Sequence, residues 1–494
     1  MTLWRTLLGP QPGKKNVSTT QVTTSFRDPA GRVAILDNRV FRVVAPDGQP
    51  NLQAYLKSRT VKDLVDQGRI VSTRVLEPSE AGDVLHALGV PDDAGLWMAL
   101  EHEAIAFPSF AYEWPAEMLA AAGRLTLDLA ETLLPEGLGV KDATPYNVLF
   151  RGSEPVFVDV LSIEPRRATD PLWLPYAQFL RTFLLPLIAN KYLHQPLNTI
   201  FITRRDGLEP EEVYNWTGPL RRMAPPFLTT VSIPKWLTKK ALAQENKLYS
   251  QRSEGADKAS FILRSQFRGL RKKLEAAEPD EQRSKWSNYT STATHYSSSQ
   301  ADDKVHFVRD FLAEFRPATV LDVGCNTGVF SRLAAEVATE VVAVDSDPVV
   351  VGKVYRQARA KAINILPLVI DLARPTPSLG WWNGENPSFL QRAAGHFEAV
   401  MMLAVIHHML VTERVPLDDI VSLAAHLTRD LWLVEYVATD DPMFRKLSRG
   451  RDQLHQDLNP EAFERACQTR FELIRKQPIA GTGRIMYVWG KRRA

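Results

Sequence analysis

The chain has 494 residues, enough for two or more domains, because a single core stops growing near ~250–300 residues. Hydrophobic residues make up 45% and charged residues 24%, and 60 Lys and Arg against 57 Asp and Glu leave a balance of +3. That is an ordinary globular composition without the basic excess of a nucleic-acid-binding protein, so no nucleic acid is expected as a partner. Only Cys325 and Cys467 occur, which excludes a disulfide framework and leads us to expect a reducing, cytoplasmic location.

Residues 1–25, rich in Pro, Gly, Ser and Thr, read as a flexible tail. Their apolar segment is too short, and their charge order wrong, for a secretory signal. The run RVAILDNRVFRVV at 32–44 reads as two strands around an Asp37-Asn38 turn. A helical passage at 51–68 and a strand at 69–77 follow. Pro and aromatic density then make 96–119 a connecting segment, before an amphipathic helix at 117–134. The most apolar stretch, 172–193, carries Arg181 and Pro186 and has no uninterrupted run of the ~18 apolar residues of a spanning helix. It reads as a buried core helix, and no membrane span is expected.

Between these lies GVKDATPYNVLFRGSEPVFVDVLSIE, residues 139–164. Read alone, Asp142 is a turn-former beside Pro145, and Asn147 bonds its own loop. The order and spacing of Asp142, Pro145 and Asn147, then a strand, a Gly turn and a strand ending on Asp159, resemble the D-x-x-P-x-N catalytic loop and metal-binding acid of protein and aminoglycoside kinases. The resemblance implies a kinase-like α+β domain with a helical C-terminal part over 26–250. In an active site of that kind Asp142 is the base, while Asn147 and Asp159 hold Mg²⁺. The chain departs from the pattern in lacking a Gly-rich loop and a strand lysine of the V-A-I-K type.

Residues 251–283 hold the densest charge and read as a linker at a domain boundary. The basic run 264–273 within it is expected to be a solvated face. A polar approach follows with Trp286, Tyr289 and Tyr296, then a helix at 303–315. At 319–345, TVLDVGCNTGVFSRLAAEVATEVVAVD, an apolar run ends in a glycine loop that opens onto helical spacing, and a second apolar run closes on an acid. This is a βαβ unit that binds a nucleotide at its first turn. Gly324 and Gly328 take positive φ and let a ligand approach the backbone, and Asp345 stands where an acid accepts ribose hydroxyls. Neither the dinucleotide spacing G-x-G-x-x-G nor a P-loop ending is present.

With Asp322, Gly324, Asn326 and Gly328 in the order acid-x-Gly-x-Gly-x-Gly, Asn replacing the middle Gly, residues 284–494 resemble class I S-adenosylmethionine (SAM)-dependent methyltransferases, in particular bacterial ones related to nodulation proteins. The resemblance implies an α/β fold: a C-terminal Rossmann-like seven-stranded sheet preceded by the α+β kinase-like domain. Further strands are expected at 364–371, 396–402 and 430–437, with a closing antiparallel pair at 471–479 and 483–492. It also implies SAM as cofactor, held by Asp322, Gly324, Cys325, Asn326, Gly328, Asp345 and Asp371, with Tyr289 and Tyr296 as candidates to cover it and no resident metal.

Methyl transfer from a sulfonium is an in-line displacement, so the protein must position donor and acceptor and remove a proton if the acceptor is a hydroxyl. His407 and His408, after the fourth strand, are the candidate bases. The expected activity is O-methylation of a small-molecule or saccharide-like acceptor that the N-terminal region helps to bind. The alternative is a bifunctional protein whose kinase-like domain binds ATP and Mg²⁺ and phosphorylates a small molecule.

Overall fold

Asp37 and Asn38 both take left-handed backbone, φ 49° and 62°, the geometry of the tight hairpin turn whose twist matches its strands. The turn joins two strands of a five-stranded antiparallel sheet: β1 (Thr23–Thr24), β2 (Gly31–Leu36), β3 (Arg39–Val44), β4 (Thr73–Val75) and β5 (Met98–His102), in the order β1-β2-β3-β5-β4. A helix, α1 (Pro78–Ala87), buries Ala81 and Val84 against Phe41, Val43, Leu76 and Ala99. The computed structural model describes residues 23–24, 27–88, 90, 97–236, 255–280, 298–450 and 452–493. The expected tail lies outside these residues apart from β1, and Trp286, Tyr289 and Tyr296 lie outside them altogether.

Strand β5 corrects the expectation of a connecting segment at 96–119. Its polar residues suggest a loop, but they are used across the sheet. Glu101 bonds Arg39 and Arg74, and those guanidinium groups hold its carboxyl down at about 2. Arg42 Nε donates to His102 Nε2 at 3.3 Å, so the ring's other nitrogen carries the hydrogen and faces Thr73 Oγ1 at 2.9 Å. Burial, with Arg42 beside it, lowers the His102 pKa to about 3 and keeps that ring neutral.

Residues 23–49 and 73–104 form this unit, and residues 50–72 and 105–494 form a second one. In the second, α2 (Ala116–Thr132) is buried along most of its length and packs against α3 (Ala256–Ala277). The stretch expected as a charged linker is therefore largely a helix. Ala259, Leu263, Phe267, Leu270, Leu274 and Ala277 recur at helical spacing and are buried, while most of its charges lie on the other face. Arg271, half-buried at the border of the apolar stripe, instead pairs with Asp128 and Glu131 of α2. Two short antiparallel pairs accompany them: β6 (Leu138–Val140) with β9 (Ile163–Pro165), and the hairpin of β7 (Val148–Arg151) and β8 (Glu154–Phe157). Of the apolar stretch at 172–193, expected to be a buried helix, Tyr176–Leu193 is helical, with a π-turn at Leu180–Leu184 ahead of Pro186, while Leu172 and Leu174 are exposed ahead of it.

The rest of the second unit is a seven-stranded sheet of β10 (Thr319–Val323), β11 (Glu340–Asp345), β12 (Ile365–Val369), β13 (Phe397–Met402), β14 (Thr428–Val437), β15 (Phe471–Pro478) and β16 (Arg484–Lys491), in the order β12-β11-β10-β13-β14-β16-β15. The first five strands are parallel and β16 runs antiparallel to both neighbours. Val320, Leu321, Val341, Val342, Ala399, Val400 and Met401 are buried, as continuous apolar runs in a parallel sheet covered on both faces require. The chain runs from β10 outward to β12 and returns to β13 on the other side. The reversal opens a crevice at the carboxyl ends of β10 and β13, where open α/β sheets bind ligands.

The stretch 107–117 is tied to this sheet. Glu113, fully buried, pairs with Arg392 and accepts from Thr376 Oγ1 at 2.7 Å. Arg392 also donates to the Pro108 carbonyl and lies over the rings of Phe107 and Phe110. Glu117 of α2 pairs with Arg356 of the helix after β11, and burial pushes its carboxyl pKa up in spite of that partner.

Candidate functional site

The loop after β10 does what its glycines allow. Gly324 has φ +69°, and a β-carbon there would sit 2.5 Å from Val405 Cγ2, so no other residue fits without moving the segment after β13. Asn326, in place of a third glycine, takes φ 48°, a conformation Asn tolerates better than most side chains. Gly328, at φ 72°, begins the helix Val329–Ala334. Gly324 and Cys325 donate their amides to the Val344 carbonyl at 2.8 and 3.0 Å, which ties the loop to the end of β11. Cys325 is buried, and burial raises its thiol pKa well above the ordinary value, so it is a packing residue and not a nucleophile.

Two carboxylates frame the loop. Asp322, 2% exposed, accepts from Ser331 Oγ at 2.6 Å, and burial pushes its pKa up to about 7. Asp345, at the tip of β11, accepts the Asn326 amide on one oxygen and the Asp347 amide on the other, each at 3.0 Å. Burial raises its pKa too, partly offset by these amides. Each oxygen keeps a lone pair for a further donor. Asp371, beyond β12, accepts the Ala373 amide at 3.0 Å and pairs with Arg374 at 2.8 Å. A donor from a ligand there would share the carboxylate with that guanidinium.

These residues fit the cofactor that the sequence implies. The Asn326 Oδ1 is a buried acceptor without a protein partner, the loop has no β-carbon at Gly324 or Gly328, and Asp345 and Asp371 stand at the ends of successive strands with acceptor oxygens. When bound, SAM supplies an electrophilic methyl group on a sulfonium.

After β13, His407 and His408 open a short helix, Ile406–Val411, with ring centroids 4.3 Å apart. His407 is 3% exposed and its Nδ1 has no hydrogen-bond partner. Burial and then His408 lower its pKa to about 3, so this imidazole is neutral near pH 7 and a weak base. His408 is only half-buried. Close enough for their charges to act on His407 are Arg484, Glu435 and Asp441.

Those charges belong to a buried network that the sequence analysis does not assemble. Lys304, on the helix Ser298–Phe315, bonds Glu435 of β14 at 2.5 Å; Glu435 bonds Arg484 of β16 at 2.9 Å; and Arg484 bonds Asp441 at 2.8 Å. All four side chains are at most 9% exposed. Two cations and two anions leave the cluster neutral, the condition under which charges persist inside a fold. The signal in sequence was a carboxylate inside the apolar run LWLVEYV and an arginine opening RIMYVW.

In the 142–147 loop, Asn147 Nδ2 donates to the Asp142 carbonyl at 3.4 Å, and the Asp142 amide donates to Ser162 Oγ at 3.0 Å. The Val158 amide donates to the Asn147 carbonyl at 2.9 Å, which brings Asn147 and Asp159 to the two sides of the β7–β8 hairpin base.

A family model described as a methyltransferase domain matches residues 293–470. The nodulation protein NoeA of Rhizobium meliloti is 30% identical over 495 residues, covering 97% of this chain and 96% of that protein. Among solved structures, the N-methyltransferase NodS of Bradyrhizobium japonicum covers 40% of this chain and 99% of its own at 9% identity, with a TM-score of 0.30. The bifunctional kinase-methyltransferase WbdD covers 40% of this chain and 41% of its own at 20% identity, also with a TM-score of 0.30. Glycine loop, strand-end acids, domain match and full-length relative agree: the chain belongs to the NoeA family and is a class I SAM-dependent methyltransferase.

Proposed function

We propose that this methyltransferase transfers the methyl group to a hydroxyl of a small, saccharide-like acceptor, with 284–494 as the methyltransferase domain and the N-terminal region helping to bind the acceptor. The carrying observation is the histidine pair at the end of β13, with a buried His407 Nδ1 that lacks a partner. A hydroxyl must lose its proton as the methyl arrives, and a neutral imidazole accepts it. His408, the less buried of the two, is the candidate base; His407, its ring tilted against it at 4.3 Å, helps to position it. Asp345 takes the ribose hydroxyls, Asp371 the adenine amino group, and the Asn326 side chain a further donor of the cofactor. Beside the histidines lies the charge-neutral network of Lys304, Glu435, Arg484 and Asp441, which leaves no net charge there to demand an ionic acceptor. Incubating the full chain with methyl-labelled SAM and fractionated cell extract tests the reading. Label in an alkali-stable methyl ether of a neutral, sugar-containing product is the expected result, and label confined to protein or to amines overturns it.

A second reading keeps the kinase-like arrangement for the N-terminal region. The five-stranded sheet with α1, and separately the β6–β9 and β7–β8 pairs bringing Asp142, Asn147 and Asp159 to one loop region, favour it. We infer a ligand-binding remnant without phosphoryl transfer, because no glycine loop or strand lysine stands in 30–75 to hold phosphates. ATP hydrolysis by the intact protein that vanishes in Asp159→Asn would replace this reading with the bifunctional one.

A further inference from the structure

The hairpin that follows β12 carries two adjacent tryptophans turned to solvent, Trp381 at 68% and Trp382 at 93% exposure. Exposed indoles at a loop tip commonly reflect a loose loop, and this one is tightly built. Leu379 and Asn386 exchange backbone bonds of 2.9 and 3.1 Å, and Asn383 and Gly384 close the turn on the carbonyls of Gly380 and Trp381 at 3.0 Å each. Trp382 itself is held at φ 53°, ψ 28°, a left-handed conformation that is an outlier for a bulky residue and is typical of ligand clamps.

The base of the hairpin is bolted down by a single carboxylate. Glu385, 11% exposed at its side chain, accepts the Trp381 amide at 2.9 Å on one oxygen and pairs with Arg205 at 2.7 Å on the other. Arg205 lies 5.1 Å over the ring of Tyr146, inside the 142–147 loop. The tryptophans thus stand on a rigid support joining the carboxyl edge of the sheet, eight residues beyond Asp371, to the loop of Asp142 and Asn147.

The chemistry of the tip selects among occupants. Glu385 is the one ionisable residue in 375–391, and both it and the neighbouring Arg205 are engaged in one ion pair, so the segment itself brings no cationic cluster for an anionic membrane, a nucleic acid or an acidic peptide. It offers two large π-faces and the exposed amide of Asn383. This combination suits a neutral ring that is apolar on its C–H faces and polar at its rim. We propose that the 379–386 hairpin is a saccharide-binding platform on which Trp381 and Trp382 stack pyranose rings while Asn383 bonds their hydroxyls. The platform deepens, and rests on, the reading of a saccharide-like acceptor.

The test uses the full chain with cellotetraose, maltotetraose, mannotetraose and chitotetraose, read by intrinsic tryptophan fluorescence and by calorimetry. At least one should bind saturably, and W381A/W382A should weaken it tenfold or more while leaving the melting temperature and SAM affinity unchanged; W382F should restore part of the affinity. Absence of binding by all four, affinity unaltered in the double variant, or tryptophan-dependent sedimentation with phosphatidylglycerol vesicles in place of saccharide binding overturns the proposal. Methyl transfer separates it from the acceptor reading. A saccharide bound through the tryptophans but never methylated supports the platform and overturns the acceptor class, whereas one methylated at unchanged KM by the double variant does the reverse.

Discussion

Glu435 is where the account is most exposed to a single substitution. Its carboxylate is fully buried and bonds two cations, Lys304 at 2.5 Å and Arg484 at 2.9 Å. Glu435→Gln keeps the shape and one acceptor oxygen, but it turns an amide NH₂ toward one of the two cations and leaves the cluster with a net buried charge. Breaking a buried ion pair from one side costs about 3–5 kcal/mol, and losing one to two charge-assisted bonds at ~1.5–3 kcal/mol each reaches the same range. At ~2–4 °C per kcal/mol, the sheet-bearing transition should fall by roughly 6–20 °C. Near-UV circular dichroism of the intact chain at pH 7.5 follows that transition. The companion variant Lys304→Met/Glu435→Gln removes the excess cation, so its loss should be smaller than the sum of the two single losses by more than ~1 kcal/mol. A melting temperature within about 2 °C of wild type for Glu435→Gln, or strict additivity in the pair, refutes the network as a coupled structural element.

Other outcomes follow from the same site. Asp322, raised from 3.8 to about 7, binds more protons folded than unfolded, so its contribution is fully present below pH ~4 and is lost as pH rises toward 7, a change of ~4 kcal/mol. His407, lowered from 6.5 to about 3, has the opposite slope, its contribution being lost as pH falls below 6.5. Stability profiles of Asp322→Asn and His407→Asn between pH 4 and 8 should therefore tilt in opposite directions from wild type, and parallel curves would show that neither carboxyl nor imidazole is perturbed. On an identified hydroxyl acceptor, His408→Ala should lower kcat by ~10²–10⁴ with SAM affinity retained; full activity in both His407→Ala and His408→Ala places the base elsewhere. Gly324→Val forces a β-carbon into Val405, 2.5 Å away, and should abolish SAM binding measured by calorimetry, while near-wild-type affinity would mean that the loop is not the cofactor cradle.

The sequence made the local parts of the site legible and left its long-range parts hidden. A strand, a glycine turn and a helix within 319–345 carry their geometry in nearest neighbours, and Gly324, Asn326 and Gly328 take the left-handed backbone that their residue types favour. Strand β5 was missed because Glu101 and His102 look solvated until Arg39, Arg74, Arg42 and Thr73 are brought across the sheet. The helix Ala256–Ala277 was hidden by its charge density, most of which is exposed, while Arg271 is spent on Asp128 and Glu131 of α2. Lys304 and Glu435 stand 131 residues apart, and Glu435 and Arg484 stand 49 apart, so no window of sequence contains the cluster. The two histidines read alike in sequence, and burial alone separates them.

The most direct test of the central claim is calorimetric titration of the full chain with SAM, wild type against Asp345→Ala. Asp345 joins the glycine loop to the tip of β11 through the Asn326 and Asp347 amides at 3.0 Å, and it is the acid assigned to the ribose. Wild type should bind one SAM per chain, and the variant should bind ten- to a hundredfold more weakly, the loss of charge-assisted hydrogen bonds worth ~1.5–3 kcal/mol. No heat of binding in wild type at millimolar SAM, or equal affinity in the two proteins, contradicts the assignment of this loop as the cofactor site.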